Sequence, residues 1–411
     1  MEIKPIFSAL MRSKTGPILV AVQVALSLAI LANALHIVSV RQAVTARPTG
    51  IVNEEQVFSI SVKALNPGGH EQQIAMQKAE AAALRAVPGI TSVANTNQIT
   101  LSSSGNYNSV AANREQERST ASPTMYVTSD SLVKTWGLKI IDGRDFTPQD
   151  VLEFDQNTSK AFPTVALITK ALGEKVWPDA ASYVGKRMYY GTGAEAREVS
   201  VIGVIETLET PSAAMGAEGE MSTMVPARSS GASRTLYTLR AEPGQRDRAM
   251  KDAEEAMRKL HNGQVVVHSK TQSEQRVNRY KADYALAWML ITVSVLLMVV
   301  TASGIVGMAS LWVTQRRKQI GVRRALGARK FDILRYFVTE NLMITTTGIV
   351  GGLLGALALN QVLVSRLELE RLPAEYMVIG AAAFWALGIA AVYGPAWRAA
   401  SISPAMATRS A

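Results

Sequence analysis

Side chains that could perform acid–base or nucleophilic chemistry are few in this sequence and share no catalytic spacing. The histidines are His36, His70, His261 and His268, and there is no cysteine to act as a nucleophile or to form a disulfide. Neither the HExxH zinc motif nor the GxSxG nucleophile motif occurs. We therefore predict no catalytic residues, no metal site and no cofactor-binding residues, and we interpret each histidine as a structural or surface residue.

No source of energy is encoded in the residue pattern. The GxxxxGK[ST] phosphate-binding loop does not occur, so ATP binding of the P-loop kind is not expected. Proton-driven carriers normally place ionisable groups deep in the membrane, yet Glu340 is the only acidic residue within the apolar runs. We infer that any energy is supplied by a partner and that this chain is not itself an enzyme.

The most distinctive chemistry is a dense positive charge that directly follows a long apolar run. No charged side chain occurs from Ala285 to Val313, and these 29 residues would form a helix of about 43 Å, longer than the ~30 Å hydrocarbon core. The basic segment (residues 314–335) carries one acid, Asp332, and eight basic residues: Arg316, Arg317, Lys318, Arg323, Arg324, Arg329, Lys330 and Arg335. Short loops rich in Lys and Arg stay in the cytoplasm, so we predict that this segment is cytoplasmic.

The basic segment also has an ordered apolar repeat. An apolar side is predicted at Ile320, Val322, Ala325 and Leu326, and a turn at Gly327 and Ala328 is predicted to lead back into the bilayer. Anionic lipid headgroups would explain the charges alone. The apolar repeat favours a helix parallel to the membrane that binds a soluble partner and passes its motion into both adjoining spans.

Composition places the chain among membrane proteins. Of its 411 residues 48% are hydrophobic, and they are clustered in four blocks of span length. The net charge of +10 and the pI near 9.7 would suit nucleic-acid binding, but much of the excess lies beside the apolar blocks. No basic helix interleaved with stacking aromatic residues occurs, so we do not predict nucleic-acid binding.

The order of these blocks predicts four spans and one large external domain. We place the spans at residues 17–40, 284–313, 336–364 and 376–394. The loop at 365–375 has no positive excess and is predicted to be external, whereas the tail at 395–411 is predicted to be cytoplasmic. The predicted fold class is membrane α-helical, with four transmembrane helices and a large α+β domain inserted between helices 1 and 2.

Two features mark the region of the first span. Residues 1–16 have apolar residues at helical spacing and are predicted to form a cytoplasmic amphipathic helix. The polar residues of this span fall within about half of the helix circumference, and that side is expected to face protein: Gln23, Ser27, Asn33 and His36. A cleaved signal peptide is the alternative, because residues 32–34 resemble a cleavage site. Either outcome leaves the residues after Arg41 external.

Residues 41–283 have the composition of a folded domain. Strand–helix–strand patterns occupy about 53–101 and about 234–270, and these halves are predicted to form one subdomain. A mostly β insertion is predicted at about 123–226. Residues 102–123 and 211–224 are predicted to be mobile linkers.

The second linker contains Met215, Met221 and Met224. Methionine can bind cuprous ions, although adaptable surface contact is its more common role.

The third span contains two overlapping GxxxG pairs, formed by Gly348, Gly351, Gly352 and Gly355. Glycine removes side-chain bulk where a neighbouring helix must approach closely. We predict that these residues form a helix-packing face; the alternative is that the glycines are tolerated without a partner helix.

Several motifs resemble those of a known family. One resembles the signature of FtsX-like permeases of the macrolide-exporter (MacB) type and comprises Gln319, Ile320, Gly321, Val322, Arg323, Arg324, Ala325, Leu326, Gly327 and Ala328, followed by Glu340. A second resembles that family's closing motif: Pro395, Ala396, Arg398, Ala399, Ala400, Ile402, Pro404 and Ala405. Similarities to MacB-type periplasmic domains occur in order at residues 87–90, 143–146, 184–187 and 201–204.

The resemblance implies a dimeric ABC-transporter permease of the mechanotransmission type in the bacterial inner membrane, with both termini cytoplasmic. ATP would be bound by a separate ATPase subunit that docks on residues 319–328, and a second permease chain, identical or different, would complete the dimer. A periplasmic adaptor, an outer-membrane channel and membrane lipid are further partners that the resemblance allows. Many relatives have Glu at the position of Gln319, so a charge that could meet the ATPase is absent here.

Three functions are consistent with these residues. The first is a permease subunit that transmits ATP-driven motion to its periplasmic domain for export of a substrate across the envelope. The second is a permease-like subunit that releases lipoproteins or regulates a cell-wall hydrolase. The third is a receptor or structural membrane protein that binds no ATPase.

Overall fold

The structure, a computed structural model, describes residues 15–367 and 371–401. They divide into an α/β unit, residues 44–282, and a helical unit made from residues 15–43, 283–367 and 371–401. Most of the predicted amphipathic helix (1–16) and part of the predicted tail, from Ile402 onward, lie outside the described residues.

The α-helices are, in chain order, α1 (Thr15–Thr45), α2 (His70–Arg85), α3 (Leu132–Trp136), α4 (Lys170–Val176), α5 (Arg246–Leu260), α6 (Gln272–Gln315), α7 (Arg317–Ala325), α8 (Lys330–Leu367) and α9 (Ala374–Ala400). The strands are β1 (Val57–Ala64), β2 (Ile90–Thr96), β3 (Val110–Ala111), β4 (Thr124–Thr128), β5 (Ile140–Gly143), β6 (Leu152–Asp155), β7 (Val165–Thr169), β8 (Arg187–Tyr190), β9 (Arg197–Ile205), β10 (Ser222–Ser230), β11 (Thr235–Ala241) and β12 (Val265–Thr271).

The two ends of the α/β unit form one subdomain. Within residues 44–282, β12, β1, β11 and β2 form a four-stranded antiparallel sheet in that order. Because side chains alternate along a strand, Phe58 and Ile60 of β1 point to one face, where they pack with Leu84 of α2 and Met257 of α5. The predicted strand–helix–strand halves therefore pair with each other through β1 and β11.

The segment between these halves forms a second, mixed sheet. Its strand order within the α/β unit is β3-β8-β9-β7-β10-β4, with β5 on β9 and β6 on β10. The predicted mobile linker at 102–123 is incorrect in part, because Val110–Ala111 pairs with β8 and the Val110 N–H donates to the Ala121 carbonyl at 2.8 Å. Hydrogen bonding of this polar stretch to the sheet compensates for its lack of large apolar residues.

The methionine-containing stretch also differs from a flexible linker. Residues Gly216–Glu220 form a 3₁₀ turn, and Met224 lies in β10. Met221 and Met224 are buried in separate apolar clusters, while Met215 is exposed. Apolar burial explains two of these thioethers without a soft metal ion.

Four helices among the described residues, α1, α6, α8 and α9, are long and apolar enough to cross a membrane, and the chain is a multi-pass membrane protein. All four extend beyond the predicted spans. Gly16 and Pro17 lie inside the first turn of α1, where a proline needs no N–H partner. Helix α9 continues past Pro395 because Ala396 and Ala399 are fully buried in the core of the helical unit.

The polar side of α1 faces other helices, as predicted. The Ser27 hydroxyl lies 3.0 Å from that of Thr301 on α6, and the Asn33 amide donates to the Ala356 carbonyl of α8 at 3.1 Å. The His36 ring lies 5.4 Å from the Tyr376 ring of α9. These contacts satisfy polar groups that would be costly to expose to lipid.

Candidate coupling site

The basic segment folds as a short helix between two long ones. Helix α6 ends at Gln315, α7 spans Arg317–Ala325, and α8 begins at Lys330. Gly327 adopts a φ of 97°, a conformation that strains side-chain-bearing residues, and the Ala328 N–H donates to the Arg323 carbonyl at 3.0 Å. The Asp332 carboxylate then accepts from the Arg329 N–H at 2.9 Å at the start of α8. The residues therefore terminate one helix and start the next within four positions.

One side of α7 is fixed to the helical unit. Ile320 is 5% exposed and belongs to the same apolar cluster as Ile333 and Phe337 of α8. Gly321 is also buried, whereas Gln319 is exposed. This packing holds α7 against the start of α8.

The opposite side of the basic segment exposes large apolar side chains. Val322 is 53%, Leu326 82% and Phe331 66% exposed. The predicted single apolar side is therefore incorrect: Ile320 packs inward, while Val322 and Leu326 point outward, because the short α7 has neighbours on one side only. The same segment carries exposed basic residues: Arg317, Lys318, Arg323, Arg329 and Lys330.

An ion pair links Arg316, which directly follows α6, to the buried Glu340 of α8. The Arg316 Nη1 atom donates to both Glu340 oxygens, at 2.9 and 2.8 Å, and Glu340 is 1% exposed. The Arg323 guanidinium lies 5.2 Å from the centre of the Tyr336 ring. Sequence reasoning identified Glu340 and Arg316 separately but missed their pairing. The signal was available, because a buried acid near a cluster of arginines requires a partner.

The predicted glycine face contacts α1. A Cβ placed on Gly348 would lie 2.7 Å from the Ala21 carbonyl oxygen, and one on Gly352 would lie 2.9 Å from the Leu28 Cβ. Gly351 and Gly355 have more space, 3.5 and 3.4 Å from the nearest atoms of α1. The Gly348/Gly352 pair is thus the point of closest helix approach.

Three of the motifs in the α/β unit meet at β9. Gly143 pairs with Gly203 between β5 and β9, and the Arg144 N–H donates to the Ile202 carbonyl at 3.0 Å. The Gly185 N–H donates to the Val201 carbonyl at 2.8 Å. A Cβ on Gly203 would lie 2.5 Å from the Arg144 carbonyl oxygen, so this position requires glycine. These motifs have a structural role in strand packing.

Glu209 is a buried acid of the α/β unit whose pKa is raised. Its side chain is fully buried, with Arg47 Nη1 at 3.4 Å from Oε1, and its Oε2 has no hydrogen-bond partner among the described residues. Burial raises the pKa of Glu209 to about 7 despite the opposing effect of Arg47. The Arg47 guanidinium also approaches Glu220 at 3.5 Å, so it is shared between two carboxylates.

This acid should make stability depend on pH. Between about pH 4.5 and about pH 7 the folded protein keeps a proton that the unfolded chain has released. The free energy of unfolding therefore falls as the pH rises through this window, by up to about 3 kcal/mol. In Glu209→Gln this contribution disappears, so the variant should gain stability relative to the wild type with rising pH. Unfolding of the detergent-solubilised protein over this range measures the difference.

Glu195→Gln is the matched control, because Glu195 is exposed in the same unit. Its stability should follow the wild-type curve. If the free energy of unfolding changed with pH in the same way for the wild type and for Glu209→Gln, the raised pKa of Glu209 would be wrong.

Among the described residues, no group of three or more His, Asp or Glu side chains could hold a metal ion. His261 Nε2 lies 2.7 Å from a Glu80 oxygen, and His70 Nδ1 lies 2.7 Å from the Ser230 hydroxyl.

Two protein families match this chain. Residues 24–259 match the MacB-like periplasmic core domain, and residues 291–404 match the FtsX-like permease C-terminal family. Both matches fall on permease regions, and neither family is a nucleotide-binding domain.

Individual relatives are fused exporters. Over 124 residues the chain is 37% identical to the macrolide export ATP-binding/permease protein MacB of Bradyrhizobium diazoefficiens, covering 30% of this chain and 19% of that protein. Over 169 residues it is 29% identical to the pyoverdine export ATP-binding/permease protein PvdT of Pseudomonas savastanoi pv. phaseolicola, covering 39% and 25%. With MacB of Acinetobacter baylyi the identity is 25% over 276 residues, covering 65% and 40%. The matched part is therefore at most 40% of each of these relatives.

Proposed function

Because the chain belongs to the FtsX-like permeases that carry a MacB-like periplasmic core domain, we propose that it is the permease subunit of an ABC transporter of the mechanotransmission type. In this proposal a separate ATPase subunit binds ATP and docks on the basic segment from the cytoplasm. A second permease chain completes the dimer, and the α/β unit lies in the periplasm. Both termini are then cytoplasmic in the bacterial inner membrane.

The exposed apolar patch on the basic segment is the observation that carries this proposal. Val322, Leu326 and Phe331 are more than half exposed on a segment whose other side is buried. Apolar side chains exposed together and rimmed by charge mark a surface for another protein. Leu326, at 82% exposure, is the residue that a partner pocket would enclose.

The contacts behind the patch explain how movement would pass into the membrane. Ile320 packs on α8, and the Arg316–Glu340 pair joins the end of α6 to α8. Displacement of α7 would therefore move both long helices together. Helix α6 is unbroken over 44 residues from Gln272 to Gln315, so a displacement at its end is carried along a stiff element.

The relatives support export as the function that this movement serves. Their names assign macrolide or pyoverdine export to fused ATP-binding/permease proteins. We propose that this chain likewise acts in export across the envelope, with its ATPase supplied by another subunit. A periplasmic adaptor and an outer-membrane channel would complete the path.

A pull-down in mild detergent followed by mass spectrometry tests the ATPase partner. Wild-type protein should retain an ABC ATPase, and Leu326→Glu should reduce its recovery at least tenfold, because burying an unpaired carboxylate opposes docking. Leu65→Glu is the matched control, since Leu65 is a 59% exposed leucine of the α/β unit. Loss of the ATPase from both variants, or retention in both, would refute docking at Leu326.

Two further variants test the shape and charge of the same segment. Gly327→Val should strain the turn at φ 97°, and Arg323→Glu with Arg324→Glu should reverse the charge beside the patch. Both are expected to uncouple ATP hydrolysis from transport in reconstituted vesicles while insertion into the membrane is kept. Full ATP-dependent activity of both would show that the segment is not the coupling element.

A further inference from the structure

A polar cleft lies on the face of the four-stranded sheet that α2 and α5 leave uncovered. It has a volume of about 550 Å³ and is lined by residues of β1, β11 and β12, by residues 97–106, and by Gln275. The sheet register explains its polarity: Ser61 of β1 stands opposite His268 of β12, and Ser59 opposite Lys270. Side chains alternate along strands, so these four share the face opposite Phe58 and Ile60.

The basic side chains that line this cleft have no counterion. Arg234, His268 and Lys270 line it, and none of their side chains makes a hydrogen bond or ion pair with a described residue. No aspartate or glutamate of residues 44–282, all of which are described, lines the cleft. The Ser61 hydroxyl is likewise without a partner there. A concave surface that carries only positive charge concentrates anions.

A second cleft of about 230 Å³ shares Asn97, Arg234 and Leu236 with the first. Its other lining residues are uncharged. Arg234 thus stands where the two clefts meet and could be reached from either. An arginine fork in this position can donate two parallel hydrogen bonds to one oxyanion.

We propose that this cleft binds a carboxylate or phosphate group of a polar ligand, through Arg234, Lys270 and His268. The hydroxyl and amide side chains around them would hold the ligand's uncharged polar groups. The volume is in the range of small-molecule sites. The proposal concerns the α/β unit alone and does not depend on the proposed transport function.

Calorimetric titration of the full-length protein in detergent with citrate and with inorganic pyrophosphate tests the site. At least one probe should bind, and Arg234→Gln and Lys270→Gln should each raise its Kd about tenfold or more. Binding of citrate alone would assign a carboxylate ligand, and of pyrophosphate alone a phosphate ligand. Added salt should weaken binding.

Lys251→Gln is the matched control. Lys251 is exposed and unpaired on α5, a helix that covers the other face of the same sheet. Its variant should bind the probe as the wild type does. The proposal is overturned if neither probe binds at millimolar concentration, or if Lys251→Gln weakens binding as much as the cleft variants. The side chains of Arg234 and Lys270 make no hydrogen bond or ion pair with a described residue, so their replacement should leave the unfolding midpoint unchanged.

Discussion

Replacing Arg316 by methionine is expected to destabilise the helical unit by about 3–5 kcal/mol, because the buried Glu340 carboxylate loses its partner. Replacing both Arg316 and Glu340 by methionine should recover most of this loss, since no charge is then left buried. Reversible unfolding in mixed detergent and sodium dodecyl sulfate, read as a double-mutant cycle, measures the coupling.

Arg317→Met is the control for the loss of a positive charge. Arg317 is exposed beside Arg316, so its replacement should change the unfolding free energy by less than about 0.5 kcal/mol. Equal effects of the two arginine variants would mean that the pair does not hold α6 to α8. The Arg316→Met variant should also lower ATP-coupled activity, because α7 would no longer move both helices together.

Replacing Gly348 and Gly352 together by valine is expected to prevent α1 from packing on α8. The Cβ atom of a valine at Gly348 would lie 2.7 Å from the Ala21 carbonyl oxygen. Backbone atoms cannot move aside as a flexible side chain can. Overpacking costs about 1–3 kcal/mol for each site, so the pair could remove much of the stability of a typical protein. Loss of the monodisperse protein on size-exclusion chromatography is the expected result.

Two glycine-to-alanine variants separate close packing from helix propensity. Gly351→Ala should be tolerated, because its Cβ would lie 3.5 Å from the Ala25 Cβ. Gly307→Ala on α6 meets no atom within 4 Å and should be neutral or slightly stabilising, since alanine favours helix. If Gly348→Val/Gly352→Val matched these variants in stability, the close approach of α1 and α8 would be wrong.

The helical unit was the more predictable part of the fold from the residue pattern. Apolar length alone locates α1, α6, α8 and α9, because lipid and water impose a strict difference in composition. Their ends were less predictable. Helix α9 passes Pro395, since local packing continues where hydropathy no longer gives a signal.

In the α/β unit, strands could be predicted from the sequence, but the long-range contacts between them could not. The strands near Val57 and Thr235 were expected, and the structure pairs them in one sheet. The motifs around Gly143, Gly185 and Gly203 gave no hint that they meet at β9, because their contacts are long-range backbone pairings. The β3 strand was mistaken for a linker, since two residues of strand leave almost no pattern.

For the basic segment, the residue types predicted the helix and the turn, but they did not predict which side chains face the core. The sequence placed a helix and a turn near Gly327, and the structure has both. It could not tell that Ile320 faces the core while Leu326 faces out, because that depends on how α7 meets α8. The partner of Glu340 was hidden for the same reason: Arg316 is 24 positions away in sequence.

We propose that the basic segment faces a cytoplasmic ATPase and that the α/β unit lies in the periplasm. The chain has no cysteine, so Leu326→Cys and Val266→Cys each introduce a single thiol at an exposed position. In spheroplasts treated with a membrane-impermeant maleimide, Val266→Cys should be labelled at once and Leu326→Cys only after the membrane is permeabilised. Labelling of Leu326→Cys in intact spheroplasts would show that the basic segment is not cytoplasmic.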